Sequence, residues 1–220
     1  MNHEPEVSGD AVEDQGSLLT LALLSLLTGR ASGFLVAVFR LLETLAAAGR
    51  LHRWPVELRA ALIGAAVGVL AWFAPGIVGG GEPITQRTLV GAGTVAMVPV
   101  VFLLRFGLGA MSYAAATPGG LFAPMLVLGA QSGVLFGIVC NRWLPALAPH
   151  PAALGVIGMT AFFTAVVRAP VTGIILVIEM TGSFTLFLPM LSACFAAMVV
   201  PTLLGNEPIY ESLRARTLRG

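Results

Sequence analysis

From Ser17 onward the apolar positions run together in long stretches, broken by short polar or Gly/Pro-rich pieces. Continuous apolar runs of this kind predict helices that do not face water. The first extends from Ser17 to about Ala48 and is interrupted by Arg30 and Arg40. It exceeds one perpendicular crossing, so a long tilted helix is expected. "GRLHRWPVELR", Gly49 to Arg59, reads as a basic loop, and Ala60–Ala74 as a helix closed by Pro75. "VGGGEP" at 78–83 reads as a glycine hinge, followed by apolar runs at about 88–116, 121–140, 152–167, 171–181 and 184–204.

Several of these runs are shorter than the roughly 20 helical residues that a hydrocarbon layer requires. The pair 152–167 and 171–181, parted by "RAP" at 168–170, predicts two half-helices. Broken helices persist in a membrane only where the freed backbone groups face protein or a polar cavity, an arrangement of transporters and channels. Gly29 with Gly33, Gly64 with Gly68, and Gly129 with Gly133 and Gly137 are spaced by four. That spacing lays a flat face along one side of a helix, and packing is its expected role.

Composition agrees with the pattern. The chain of 220 residues is 57% hydrophobic and 10% charged, with a mean hydropathy of +0.91. Soluble domains carry about 25% charged residues, so the expected fold class is all-α, a multi-pass membrane protein with tilted and interrupted helices. Net charge is +1 and all 12 basic residues are arginines, scattered along the chain, so a nucleic-acid partner is not expected. Cys140 and Cys194 sit in apolar stretches, and His3, His52 and His150 lie at segment ends; no metal or other cofactor is assigned. No nucleophile–base pair or phosphate loop stands out, so an enzyme is not expected.

Residues 1–16 hold five acids and no arginine, which rules out a secretory signal and suggests an acidic disordered leader. Segment 17–205 then forms the transmembrane unit, and 206–220 a final helix with a basic tail. The two arginine clusters, Arg50/Arg53/Arg59 and Arg214/Arg216/Arg219, place that loop and the C-terminus in the cytoplasm of a plasma or inner membrane.

One stretch stands apart: "TPGGLFAPMLVLG", residues 117–129, opens an apolar helix with two glycines and a proline. An abrupt helix start leaves its first N–H groups without acceptors and carries the positive end of the dipole. With Gly119 and Gly120 in the turn, the amides of Leu121 and Phe122 point outward, and Pro124 sits in the first turn, where its missing N–H costs little. Such a terminus suits either an anion without a full positive charge or a plain packing turn.

"GGLFAPMLVLGAQSG", "GMTAFFTAVVRAPVTGIILVIEMTGSF" and "EPIYESLRARTLRG", in this order, resemble the C-terminal half of the CLC family of chloride channels and chloride/proton antiporters, from about Ser17 to Arg219. The resemblance implies one of two inverted repeats plus the last helix. It also implies that Leu121 and Phe122 offer amides to a central chloride, shaped by Gly119, Gly120 and Pro124, and that Tyr210 offers a hydroxyl. Without the resemblance, Tyr210 reads as an interfacial anchor. Glu179 and Arg168 are expected to be structural, Glu179 at a helix end and Arg168 at the junction of the half-helices.

The stretches by which the family supplies its serine ligand, gating glutamate and internal proton glutamate are not found in this sequence. The chain therefore reads as a fragment of a longer gene or a piece of a split transporter, needing an N-terminal half or another CLC subunit. A homodimer, formed partly through 171–204, is implied for the complete protein. The other reading is a non-transporting half-length protein or remnant that associates with intact CLC subunits.

Overall fold

The computed structural model describes residues 8–48, 55–78, 81–90, 97–114, 120, 122–143, 145, 150–182, 184–206 and 208–211. The described elements are helices: α1 (Ser8–Ala48), α2 (Val56–Phe73), α3 (Glu82–Val90), α4 (Met97–Ala114), α5 (Phe122–Trp143), α6 (Pro151–Val167), α7 (Pro170–Thr181) and α8 (Phe187–Leu203). Each of α3 to α8 carries a proline within its first three positions, where φ is already helical and no intrahelical N–H is lost. Two segments, Thr20–Leu45 and Phe122–Trp143, are long and apolar enough to cross a membrane; four further apolar helices are shorter.

Three boundaries differ from the sequence reading. α1 starts at Ser8, so residues 8–16 of the expected leader are helical. α2 starts at Val56, which puts Arg59, itself buried, in the first turn of a helix rather than in a basic loop. The run expected at 88–116 is divided between α3 and α4, and the intervening 91–96 lie outside the described residues. The glycine hinge is used at Gly81, whose φ of 91° is open to glycine at little cost and whose carbonyl accepts the Thr85 amide (2.8 Å) and hydroxyl (3.1 Å).

α6 is the hub. Every residue from Leu154 to Ala165 is buried, as expected of a helix that is hydrophobic all round. Against it α5 packs backbone to backbone: a methyl at Gly133 would collide with the Leu154 carbonyl, and one at Gly158 with the Gly129 carbonyl. A second seam joins α1 to α8, where Gly29 and Gly33 lie on the carbonyls of Ala193 and Ala197. The hydroxyls of Ser25 and Ser192 bond across it. Gly64 and Gly68, with the same spacing, meet nothing within 4 Å, so the packing role expected of them is not seen here. The exposed Trp72 and Phe73 end the same helix.

The half-helices are as expected. α6 and α7 have 17 and 12 residues, about 25 and 18 Å, each shorter than a 30 Å hydrocarbon core. Arg168 between them is left-handed (φ 64°). Its guanidinium donates to the Thr202 hydroxyl (2.6 Å) and the Asn206 carbonyl (2.9 Å), tying the α6–α7 junction to the end of α8. α8 stops in a Schellman motif: the Asn206 amide reaches Pro201 O (2.9 Å), the Gly205 amide reaches Thr202 O (3.1 Å), and Gly205 is left-handed. The helix-end role expected of Glu179 falls instead to Gly182, left-handed and bonded to Ile178 O at 2.7 Å, while Glu179 is exposed.

Candidate functional site

Where α5 begins, the chain lines a half-open cavity of about 750 Å³. α5 supplies its first turn, Phe122 to Met125, with Gly120 just before it. α1, α2, α4 and α6 form the walls, and Ile209, in the short helical turn after α8, closes one side. Of the first three α5 positions only Pro124 lacks an N–H, so the amides without an intrahelical acceptor are those of Phe122 and Ala123. These carry the positive end of a 22-residue helix dipole to the cavity edge. Pro124 lies in the first turn, where the sequence put it.

The ring of Phe122 is 49% exposed and leans on Phe163 of α6, with centroids 5.5 Å apart. Tyr210 is 46% exposed and is not among the cavity-lining residues, whereas its neighbour Ile209 is buried against it. Gly119 and Leu121 lie outside the described residues.

Two arginines that the sequence reading did not assign to the site line the cavity. Arg40 is ion-paired with Glu43 at 3.2 Å, and the Glu43 side chain is 2% exposed. Arg105 forks onto the Ile77 carbonyl through Nε (3.0 Å) and Nη2 (2.8 Å), which fixes the turn after α2 against α4. Ser112 and Tyr113 near the end of α4 complete the polar lining. A charged residue inside an apolar run signals function by default, and Arg105 gave that signal. Nothing in the α4 run showed which way its polar residues face.

The cavity is thus mainly apolar, with the α5 amides at its edge and both lining guanidinium groups already engaged, Arg40 with Glu43 and Arg105 with the Ile77 carbonyl. Among the described residues there is no group of three or more His, Cys, Asp or Glu that could hold a metal.

This all-helical architecture, with broken apolar helices around a cavity at a helix start, is that of an integral membrane transport protein. Residues 6–202 match the family described as voltage gated chloride channel, and the chain belongs to that CLC family. The match begins at residue 6, not at Ser17 as the motifs implied. The H(+)/Cl(-) exchange transporter ClcA of Cronobacter sakazakii is 39% identical over 170 residues, 77% of this chain and 36% of that protein. ClcA of Vibrio cholerae is 36% identical over 211 residues, 94% of this chain and 45% of that protein.

A solved slow cyanobacterial Cl-/H+ antiporter superposes with a TM-score of 0.77 at 30% identity, over 93% of this chain and 48% of that one. A eukaryotic CLC transporter shares the fold, with a TM-score of 0.66 at 21% identity over 96% of this chain and 35% of that one. The chain thus spans less than half the length of these relatives.

Proposed function

We propose that this chain acts as the C-terminal half of a CLC-type chloride channel or H+/Cl− antiporter, giving chloride one side of its central site. The amides of Leu121 and Phe122 and the hydroxyl of Tyr210 are the donors, with Gly119, Gly120 and Pro124 shaping the turn. The observation that carries this reading is the opening of the α5 N-terminus into the cavity. Neutral donors suit a transported ion, since they hold an anion loosely enough for it to leave. An N-terminal CLC half supplies the facing side, the complete protein is a homodimer in the plasma or inner membrane, and the C-terminus is cytoplasmic.

The test is chloride efflux from liposomes containing this chain coexpressed with an N-terminal CLC half. Flux is expected only when both are present. Tyr210→Phe should weaken chloride dependence by about tenfold, the order expected for one hydrogen bond to a charge. Phe122→Ala keeps the amide but removes the ring that rests on Phe163, so the cavity mouth widens and discrimination between chloride and larger anions should fall. Absence of flux from the assembled halves would sink the proposal; co-purification without flux would favour the non-transporting alternative.

A further inference from the structure

Within the apolar segment Thr20–Leu45 of α1 stands Arg30, about 15 Å along the helix axis from Thr20 and about 22 Å from Leu45 at 1.5 Å per residue. Its side chain is exposed and makes no hydrogen bond or ion pair among the described residues. Arg40, Arg105 and Arg168 are by contrast engaged, with Glu43, with the Ile77 carbonyl, and with Thr202 and Asn206. Leu23, Leu27, Phe34, Leu41 and Leu45 follow one another with Arg30 at steps of three, four or seven, so they share its face, and all five are exposed. The other side of α1 is already filled: Ser25, Thr28 and Ser32 are buried, and Gly29 and Gly33 lie on α8.

The leucines of that stripe sit equally well against lipid or protein, so they select no partner. Arg30 does select one. A charge this far inside a span is costly against lipid, and snorkelling serves arginines near helix ends. We propose that this face of α1 docks a helix of the N-terminal CLC half, and that Arg30 pairs there with a carboxylate on that helix. The inference rests on the reading above that such a half completes the protein. On that reading the N-terminal half precedes α1 along the chain, so α1 is the first helix of this chain that it meets. The relatives are also more than twice the length that this chain spans, which leaves a partner large enough to cover the whole stripe. A guanidinium grips a carboxylate through a two-pronged fork, which fixes how far two helices slide and turn against each other. One polar position in an otherwise apolar seam thus sets its register, which interchangeable leucines cannot do.

The test coexpresses this chain, tagged at its C-terminus, with an N-terminal CLC half and measures how much of that half co-purifies in detergent. Wild type, Arg30→Leu and Arg30→Lys are compared. In a separate chain that keeps Arg30, the photo-cross-linker p-benzoylphenylalanine replaces Leu27 and is activated in membranes. Recovery should fall about tenfold or more for Arg30→Leu, which strands the carboxylate, and less for Arg30→Lys, which keeps the charge but not the fork. Arg30→Leu expressed alone should melt no lower than wild type, because Arg30 makes no polar contact that could be lost. The cross-link should join α1 to the N-terminal half. Arg30→Glu should then regain recovery when an Asp or Glu of the cross-linked helix is changed to Arg. Unchanged recovery with Arg30→Leu would overturn the docking surface and leave the assembly standing, as would a cross-link to lipid or to a second copy, whose Glu179 is exposed on α7. A cross-linked helix without Asp or Glu would overturn the ion pair. If the wild-type chain recovers no N-terminal half, both readings fall.

Discussion

Gly133→Ala is expected to destabilise the folded chain more than any other single methyl addition at the α5–α6 seam. The new Cβ would collide with the Leu154 carbonyl and press on the Gly155 Cα, both main-chain atoms of the central helix. No rotamer change relieves such a contact, so α5 and α6 must move apart along a seam that also holds Gly129, Gly137 and Gly158. Overpacking a core costs about 1–3 kcal/mol where side chains can yield, and more where they cannot. Set against a total of roughly 5–15 kcal/mol, a loss above about 3 kcal/mol removes much of the folded population.

Gly68→Ala is the matched control, since its Cβ meets nothing and alanine improves helix propensity by up to about 1 kcal/mol. Melting temperatures in detergent, read by tryptophan fluorescence, should fall steeply for Gly133→Ala and hold or rise for Gly68→Ala. Equal melting of the two variants would contradict the seam.

The second large effect is expected at Arg168, from two opposing contributions. Its guanidinium makes two charge-assisted hydrogen bonds, to the Thr202 hydroxyl and the Asn206 carbonyl. Losing them costs about 2 kcal/mol at a partly exposed site. Its backbone is left-handed, which costs a non-glycine residue about 1 kcal/mol. Arg168→Gly loses the bonds but relieves the backbone, whereas Arg168→Ala loses the bonds and keeps the strain. The expected order of stability is wild type, then Gly, then Ala, with about 1 kcal/mol between the last two. Because Asn206 leads directly into Ile209 and Tyr210, both variants should also loosen the segment beside the cavity and weaken chloride dependence of flux in the assembled protein. Wild-type melting by Arg168→Ala would remove the junction's structural importance.

How much of this was legible beforehand varies with the physics involved. The starts of α5, α6 and α7 were well marked, because proline is tolerated in a first turn and nowhere else in a helix without cost, and Pro124, Pro151 and Pro170 all fall there; those of α1, α2 and α4 were not. The break at 168–170 was legible for the same reason, although nothing in "RAP" named Thr202 and Asn206 as the partners of Arg168. Glycine spacing was an incomplete guide. It marks a flat face, and at Gly29 and Gly133 that face is filled, but the identical spacing at Gly64 and Gly68 carries no statement of what lies opposite.

The cavity was half legible. The start of α5 announced itself by its turn chemistry, while Arg105 and Tyr113 sit in a run apolar on all sides, where periodicity cannot single out an inward face. The acidic stretch before Ser17 misled, because composition reported solvation and the helix that begins at Ser8 is compatible with it.

The seam between α1 and α8 bears on how the protein is made. Gly29 finds Ala193 only after the intervening part of the chain has left the ribosome. At 5–20 residues per second that interval is roughly 8–30 s. Throughout it the serine and threonine face of α1, with Ser25, Thr28 and Ser32, has no α8 to cover it. Insertion machinery or another helix must shelter that face in the meantime. Slowing translation between α1 and α8 should therefore lengthen the window in which the nascent chain is open to degradation, and it should do so even though no codon for a contacting residue has changed.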